Sequence, residues 1–181
     1  FDEAMKNHPV ASDNSERTGK PTEVSPKQFP VIAGYGGIVP MPEATHQPQN
    51  GSRVVIDLTG GGEHNKVYPS IDKVARYVNL YGGGGKENAR AEMVVVLHGD
   101  ATLAVLTPDA YERKLGKEQN PNLECMRELH KAGVRFVVCG QALNAKGANA
   151  ADVVPFVDVA VSAMTALVNL QRDGYAYIPL R

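Results

Sequence analysis

The sequence predicts an α/β fold: a five-stranded parallel sheet with helices on both faces, preceded by a proline-rich extended arm. Three observations predict it. From residue 52 onward, short apolar runs alternate with stretches at helical spacing, the pattern of strand–helix–strand crossovers. The runs are near-continuous in Val, Ile and Leu, as strands covered on both faces are. Seven of the twelve prolines fall in residues 1–51, where each fixes φ and removes a backbone donor, so that stretch sustains neither a helix nor a central strand. The 181 residues thus divide into an arm, residues 1–51, and one α/β domain, residues 52–181.

The first strand is RVVIDL at residues 53–58, which ends at Thr59 and the run Gly60 to Gly62. Pro69 suits the first turn of a helix. Ile71, Val74, Ala75, Val78 and Leu80 then recur at helical spacing until Gly82 to Gly85 stop it. EMVVVL at residues 92–97 is the second strand, followed by His98-Gly99-Asp100 and a short helical turn over residues 101–106. Thr107 before Pro108 caps a helix that runs to Leu115. Asn120 and Pro121 open the next, with Leu123, Met126, Leu129 and Ala132 on one side and Gly133 as its stop. VRFVV at residues 134–138 is the third strand and leads into Cys139-Gly140-Gln141. A partial helix is expected within residues 142–154, the fourth strand over 157–161, a helix over 163–171, and the fifth strand over 175–179.

Within the arm, residues 7–27 are polar and are expected to be disordered or draped. Phe29, Val31, Ile32, Tyr35, Ile38, Val39 and Met41 are apolar and interspersed with Gly34, Gly36 and Gly37. Such a segment is expected to lie on a surface, that of its own domain or of a neighbouring subunit.

Composition narrows the function classes. Nineteen basic residues face twenty acidic ones, so no basic face is indicated for nucleic acid or for an anionic membrane. No apolar run approaches the roughly 20 residues of a membrane span. Two cysteines make no disulfide scaffold, the five histidines show no ligand spacing, and neither a metal site nor a dissociable cofactor is expected.

In an open parallel sheet, ligands bind beyond the carboxyl ends of the strands, which confines the search to the loops named above. Cys139 is the principal candidate. It closes a strand, and Gly140 after it lets the backbone turn sharply and a ligand come close. A helix starting near Gln141 or Ala142 would aim N–H groups at the sulfur and favour the thiolate. The other reading is a packed free cysteine, which behaves as a small hydrophobe. His98, flanked with Asp100 about Gly99, comes within reach of Cys139 if the second and third strands are neighbours. Cys125 either meets Cys139 as a pairing or resolving thiol or packs beside Leu129; packing is favoured, because bridging needs Cα atoms within about 7 Å. Gly60 and Gly62 match half of a dinucleotide fingerprint, but Asn65 stands in the third glycine's place, so a plain loop is favoured over a nucleotide site.

The segments VVVLHGDA, from Val94, and ELHKAGVRFVVCGQALNAKG, from Glu128, resemble the DsrE/DsrF-like family, with its YchN-like fold. The resemblance spans about residues 52–181, and the Cys-Gly-Gln segment after Lys-Ala-Gly-Val is its most specific part. It implies a small α/β sandwich that assembles as a trimer, or as a hexamer of two trimers. It implies that Cys139 carries a persulfide sulfur passed to or from a thiol-bearing protein partner, that His98 lies near it, and that Gln141 and Asn144 line the pocket.

These readings converge on a sulfur-handling protein, a persulfide carrier or sulfurtransferase-like subunit. Cys139 and His98 are the expected catalytic residues, and Gly140, Gln141, Asn144 and Asp100 the expected substrate-binding residues. The rival is a non-catalytic oligomeric binding or scaffold protein with an inter-subunit pocket, motivated by the apolar segment 29–41. The start at Phe1 together with the long arm is similar to exported members, so a periplasmic or secreted location is expected, with a cytoplasmic one as the alternative.

Overall fold

The computed structural model describes residues 25–181. Most of the polar stretch expected to be draped therefore lies outside the described residues. The elements follow in the order β1 (Ser52–Leu58), α1 (Pro69–Gly83), β2 (Ala91–Leu97), α2 (Pro108–Leu115), α3 (Asn122–Lys131), β3 (Arg135–Cys139), α4 (Gly140–Ala145), β4 (Val157–Ala160), α5 (Ala163–Arg172) and β5 (Ala176–Leu180). Short 3-10 segments occupy Gly99–Val105 and Ala150–Asp152.

The five strands form one parallel sheet in the order β4-β3-β2-β1-β5. β1, β2 and β3 are interior, which is why their sequences are apolar at almost every position. β5 returns to the far side of β1 and forms an edge, where the missing N–H of Pro179 is tolerated.

Alternation along the strands divides the core in two. Val54, Ile56, Leu58, Met93, Val95, Leu97, Phe136 and Val138 face one way and are covered by α1, α2 and α3 through Ile71, Val74, Tyr111, Met126 and Leu129. Val55, Val94, Val96 and Cys139 face the other way. There α5 supplies Ala163 with Ala166, Leu167 and Leu170, joined by Tyr175. The helices start where their caps are. The Thr107 hydroxyl accepts from Ala110 N–H to open α2, and the Ser162 hydroxyl accepts from Thr165 N–H to open α5. Gly116 ends α2 in the left-handed conformation, at φ 64°.

The described part of the arm lies on its own domain. Gln28 and Ile38 exchange backbone hydrogen bonds of 2.8 and 2.9 Å, closing the intervening residues into a loop. Asn79, wholly buried on α1, clamps that loop. Its Oδ1 accepts from the N–H groups of Val31 and Ile32 at 2.9 and 2.8 Å, and its Nδ2 donates to the carbonyls of Tyr35 and Gly36. The turn between them needs glycine. Gly36 has φ +61°, and a Cβ there would stand 2.0 Å from the Arg76 nitrogen. Ile32 and Ile38 are buried beneath the loop, while Phe29, Val31, Val39 and Met41 remain exposed.

Candidate functional site at the carboxyl edge of the sheet

Cys139 is the last residue of β3 and at the same time the N-cap of α4. The chain passes from strand to helix without a loop, so α4 begins at Gly140, two residues earlier than the periodicity suggests. The sulfur accepts a hydrogen bond from Ala142 N–H at 3.4 Å. Cys139 is 6% exposed, packed among Val55, Val94 and Val96 on the α5 side. The arrangement gives the thiolate one backbone donor and a narrow opening.

Gly140 is required here by packing. A Cβ at this position would lie 2.9 Å from the Ala160 carbonyl oxygen of β4. Gln141 is exposed, and its Nε2 donates to the Val161 carbonyl at 3.3 Å, tying α4 to the end of β4. Asn144 is exposed on α4, toward its C-terminal end.

β2 and β3 are neighbours, as the reach of His98 required. Leu97 pairs with Val138, so one step further His98 stands beside Cys139 on the same face. Its ring turns the other way, toward β1. His98 Nε2 lies 2.6 Å from Asp57 Oδ1, and among the described residues no hydrogen bond joins His98 to Cys139. The second oxygen of Asp57 accepts from the Tyr177 hydroxyl of β5 at 2.6 Å. That bond, above all, raises the Tyr177 pKa, with partial desolvation and the Asp57 charge adding to it. Asp57 and Tyr177 escaped the sequence reading. The available signal was a carboxylate inside an otherwise apolar interior strand.

Asp100 lies elsewhere. With Gly61, Gly62, His64, Tyr68 and Leu103 it lines a cavity of about 400 Å³ on the side covered by α1. Its Oδ1 is 2.9 Å from Lys146 Nζ, and this hydrogen bond and charge hold its carboxyl below the usual range. The structure thus brings Cys139, Gly140, Gln141 and His98 to one rim and places Asp100 at another. The glycines after β1 have a packing reason. A Cβ on Gly61 would meet the Asp100 Cβ at 2.8 Å, and one on Gly62 the Tyr68 ring at 3.0 Å.

Cys125 and Cys139 are both free, and they belong to the cores on opposite faces of the sheet. The pairing alternative therefore falls, and Cys125, on the buried face of α3, packs with Leu129 against the sheet as the other reading held. Burial pushes the Cys125 thiol up to about 12, with the charges of Asp72, Glu124 and Glu128 adding to it. Among the described residues, no group of three His, Cys, Asp or Glu side chains converges as a metal site, and no helix is long and apolar enough to cross a membrane.

The fold recurs in the solved structure of a protein of unknown function, MTH1491 from Methanobacterium thermoautotrophicum. The TM-score is 0.52 at 23% identity, over 71% of this chain and 99% of that one. No curated protein matches the chain. The model of the DsrE/DsrF-like family matches residues 54–180, from the first interior strand to the last edge strand, and it includes the strand ends that carry His98 and Cys139. With that match over most of its length, the chain belongs to the DsrE/DsrF-like family.

Proposed function

We propose that the protein handles sulfane sulfur, as a persulfide carrier or sulfurtransferase-like subunit whose working atom is the Cys139 sulfur. The observation that carries this reading is the cap: the sulfur sits at a strand-to-helix junction and accepts the Ala142 N–H. A thiolate so placed has a donor that a thiol buried in apolar surroundings lacks. Membership of a family associated with sulfur relay supports the same reading.

The chemistry balances without a cofactor. The Cys139 thiolate attacks the outer sulfur of a donor persulfide, a new S–S bond forms on Cys139, and the donor leaves as its thiolate. A thiol of a partner protein then attacks the outer sulfur and restores Cys139. At 6% exposure, Cys139 offers the incoming sulfur a narrow approach.

The reading extends to a homo-oligomer, a trimer or a hexamer. Val159 at the edge strand, Val161 just after it, and Met164 and Val168 on α5 are 43 to 77% exposed, and Val159 and Val161 border the Gly140–Gln141 turn. A second copy seated there would bury this apolar surface beside the sulfur. Light scattering on the whole protein reads the mass directly.

The decisive experiment is intact and peptide mass spectrometry after exposure to a low-molecular-weight persulfide. A gain of about 32 Da on the Cys139 peptide, removed by reductant and absent in Cys139→Ser, is the expected result. A thiol that takes up no sulfur under conditions that load a free cysteine overturns it. The low exposure of Cys139 favours one rival, an oligomeric scaffold in which the thiol merely packs, and that result would establish it.

A further inference from the structure

We infer that Asp57, held by Tyr177, is a positioning residue that decides which ring nitrogen of His98 carries the proton, and so leaves Nδ1 as the proton-accepting nitrogen of the ring. This rests on the reading of Cys139 as the reactive thiol, but its first test does not.

The argument starts from the ladder. Asp57 follows Val55 by two residues, Tyr177 pairs with Val55, and His98 follows Val96 by two. Val55 and Val96 face the α5 side with Cys139, so Asp57, Tyr177, His98 and Cys139 share one face at the carboxyl half of the sheet. The residue after β2, with β1 and β5 beside it, thus supplies a chain from the imidazole through a carboxylate to a phenol.

An ionised carboxylate only accepts. Both Asp57 oxygens are occupied, Oδ1 by His98 Nε2 at 2.6 Å and Oδ2 by the Tyr177 hydroxyl at 2.6 Å. Nε2 is therefore the protonated nitrogen, and in the neutral ring Nδ1 is left with a bare lone pair. The carboxylate is only 14% exposed and stands on an interior strand, so it has little freedom to release the ring. Tyr177 adds the second constraint: by filling Oδ2 it stops the carboxylate from rotating. An imidazole held in one tautomer by a carboxylate is a better-oriented base than one free to exchange.

The test uses the whole protein labelled with ¹⁵N in histidine, with His98 assigned by its loss in His98→Gln. Long-range ¹H–¹⁵N spectra are expected to show the Nε2–H form for His98 in the native protein. They are expected to show a mixed or inverted pattern in Asp57→Asn, whose carboxamide can donate as well as accept. An Nδ1–H form in the native protein, or an unchanged pattern in Asp57→Asn, overturns the inference. The native spectrum alone can do so even if the variant does not fold. The second readout is the alkylation rate of Cys139 at neutral pH. Asp57→Asn and His98→Gln are each expected to slow it on the order of tenfold or more, and the double variant no further, because both act through one ring. Additive losses would overturn the coupling. A native thiol no faster than free cysteine would instead remove the proposed sulfur chemistry, while the spectra would still decide the tautomer.

Discussion

Cys125 and Cys139 lie on opposite faces of the same parallel sheet, one on the buried side of α3 and the other at the end of β3 beside α5. A sheet one backbone thick separates two thiols that a linear reading could place together. The two are expected to behave differently. Iodoacetamide on the native protein should modify Cys139 first and leave Cys125 until the protein unfolds, and mild oxidation should yield no intramolecular disulfide. Peptide mapping of the alkylated protein checks both.

Among the described residues the sulfur has a single donor, which can be removed alone. In Ala142→Pro the N–H is lost, at a first-turn position where the helix itself does not use it. A hydrogen bond to a charged acceptor is worth about 1.5 kcal/mol or more, so the alkylation rate of Cys139 near neutral pH is expected to fall about tenfold. The rate is to be compared at matched melting temperatures, and an unchanged rate would mean that the cap does not stabilise the thiolate.

Stability should fall on the alkaline side, and Cys125 should be part of the cause. Its thiol is neutral in the folded protein up to about 12, whereas in the unfolded chain it ionises near its ordinary value of about 8.5. The folded pKa is the higher one, so the stabilising effect is complete below the unfolded value and is lost as pH rises toward the folded one. Urea midpoints measured at pH 7.5 and at pH 10 should therefore diverge less in Cys125→Ala than in the native protein.

Asn79 ties the arm to α1 through four backbone groups of residues 31–36. Asn79→Ala leaves those groups without partners in a buried seat and is expected to cost about 2 to 4 kcal/mol. Limited proteolysis should then cut within the loop of residues 29–41 well before the sheet domain is lost. Gly36→Ala should act in the same direction, because the residue is left-handed and the added carbon meets the α1 backbone.

Much of the architecture is written locally. β-branched runs such as 53–58 and 92–97 mark interior strands, since only side chains that pack on both faces suit such a place. Thr107 and Ser162 mark helix starts, and Gly116 a helix stop, by their own hydrogen bonds or backbone angles. The junction at Cys139 was legible as a strand end before glycine. That α4 starts there with no loop depends on Gly140 fitting against the Ala160 carbonyl, which neither residue reveals alone.

By itself the chain sequence determined the fold class and marked Cys139 and His98 as strand-end residues, because periodicity and strand-end chemistry act between residues close in sequence. Tertiary structure alone decided the rest. It placed β5 beside β1, so that Tyr177 meets Asp57 across 120 positions. It turned His98 toward Asp57, paired Asp100 with Lys146, and seated the arm on Asn79. These depend on strand order and on which face each side chain takes. Both are settled only when distant segments compete to bury apolar surface and to satisfy their polar groups.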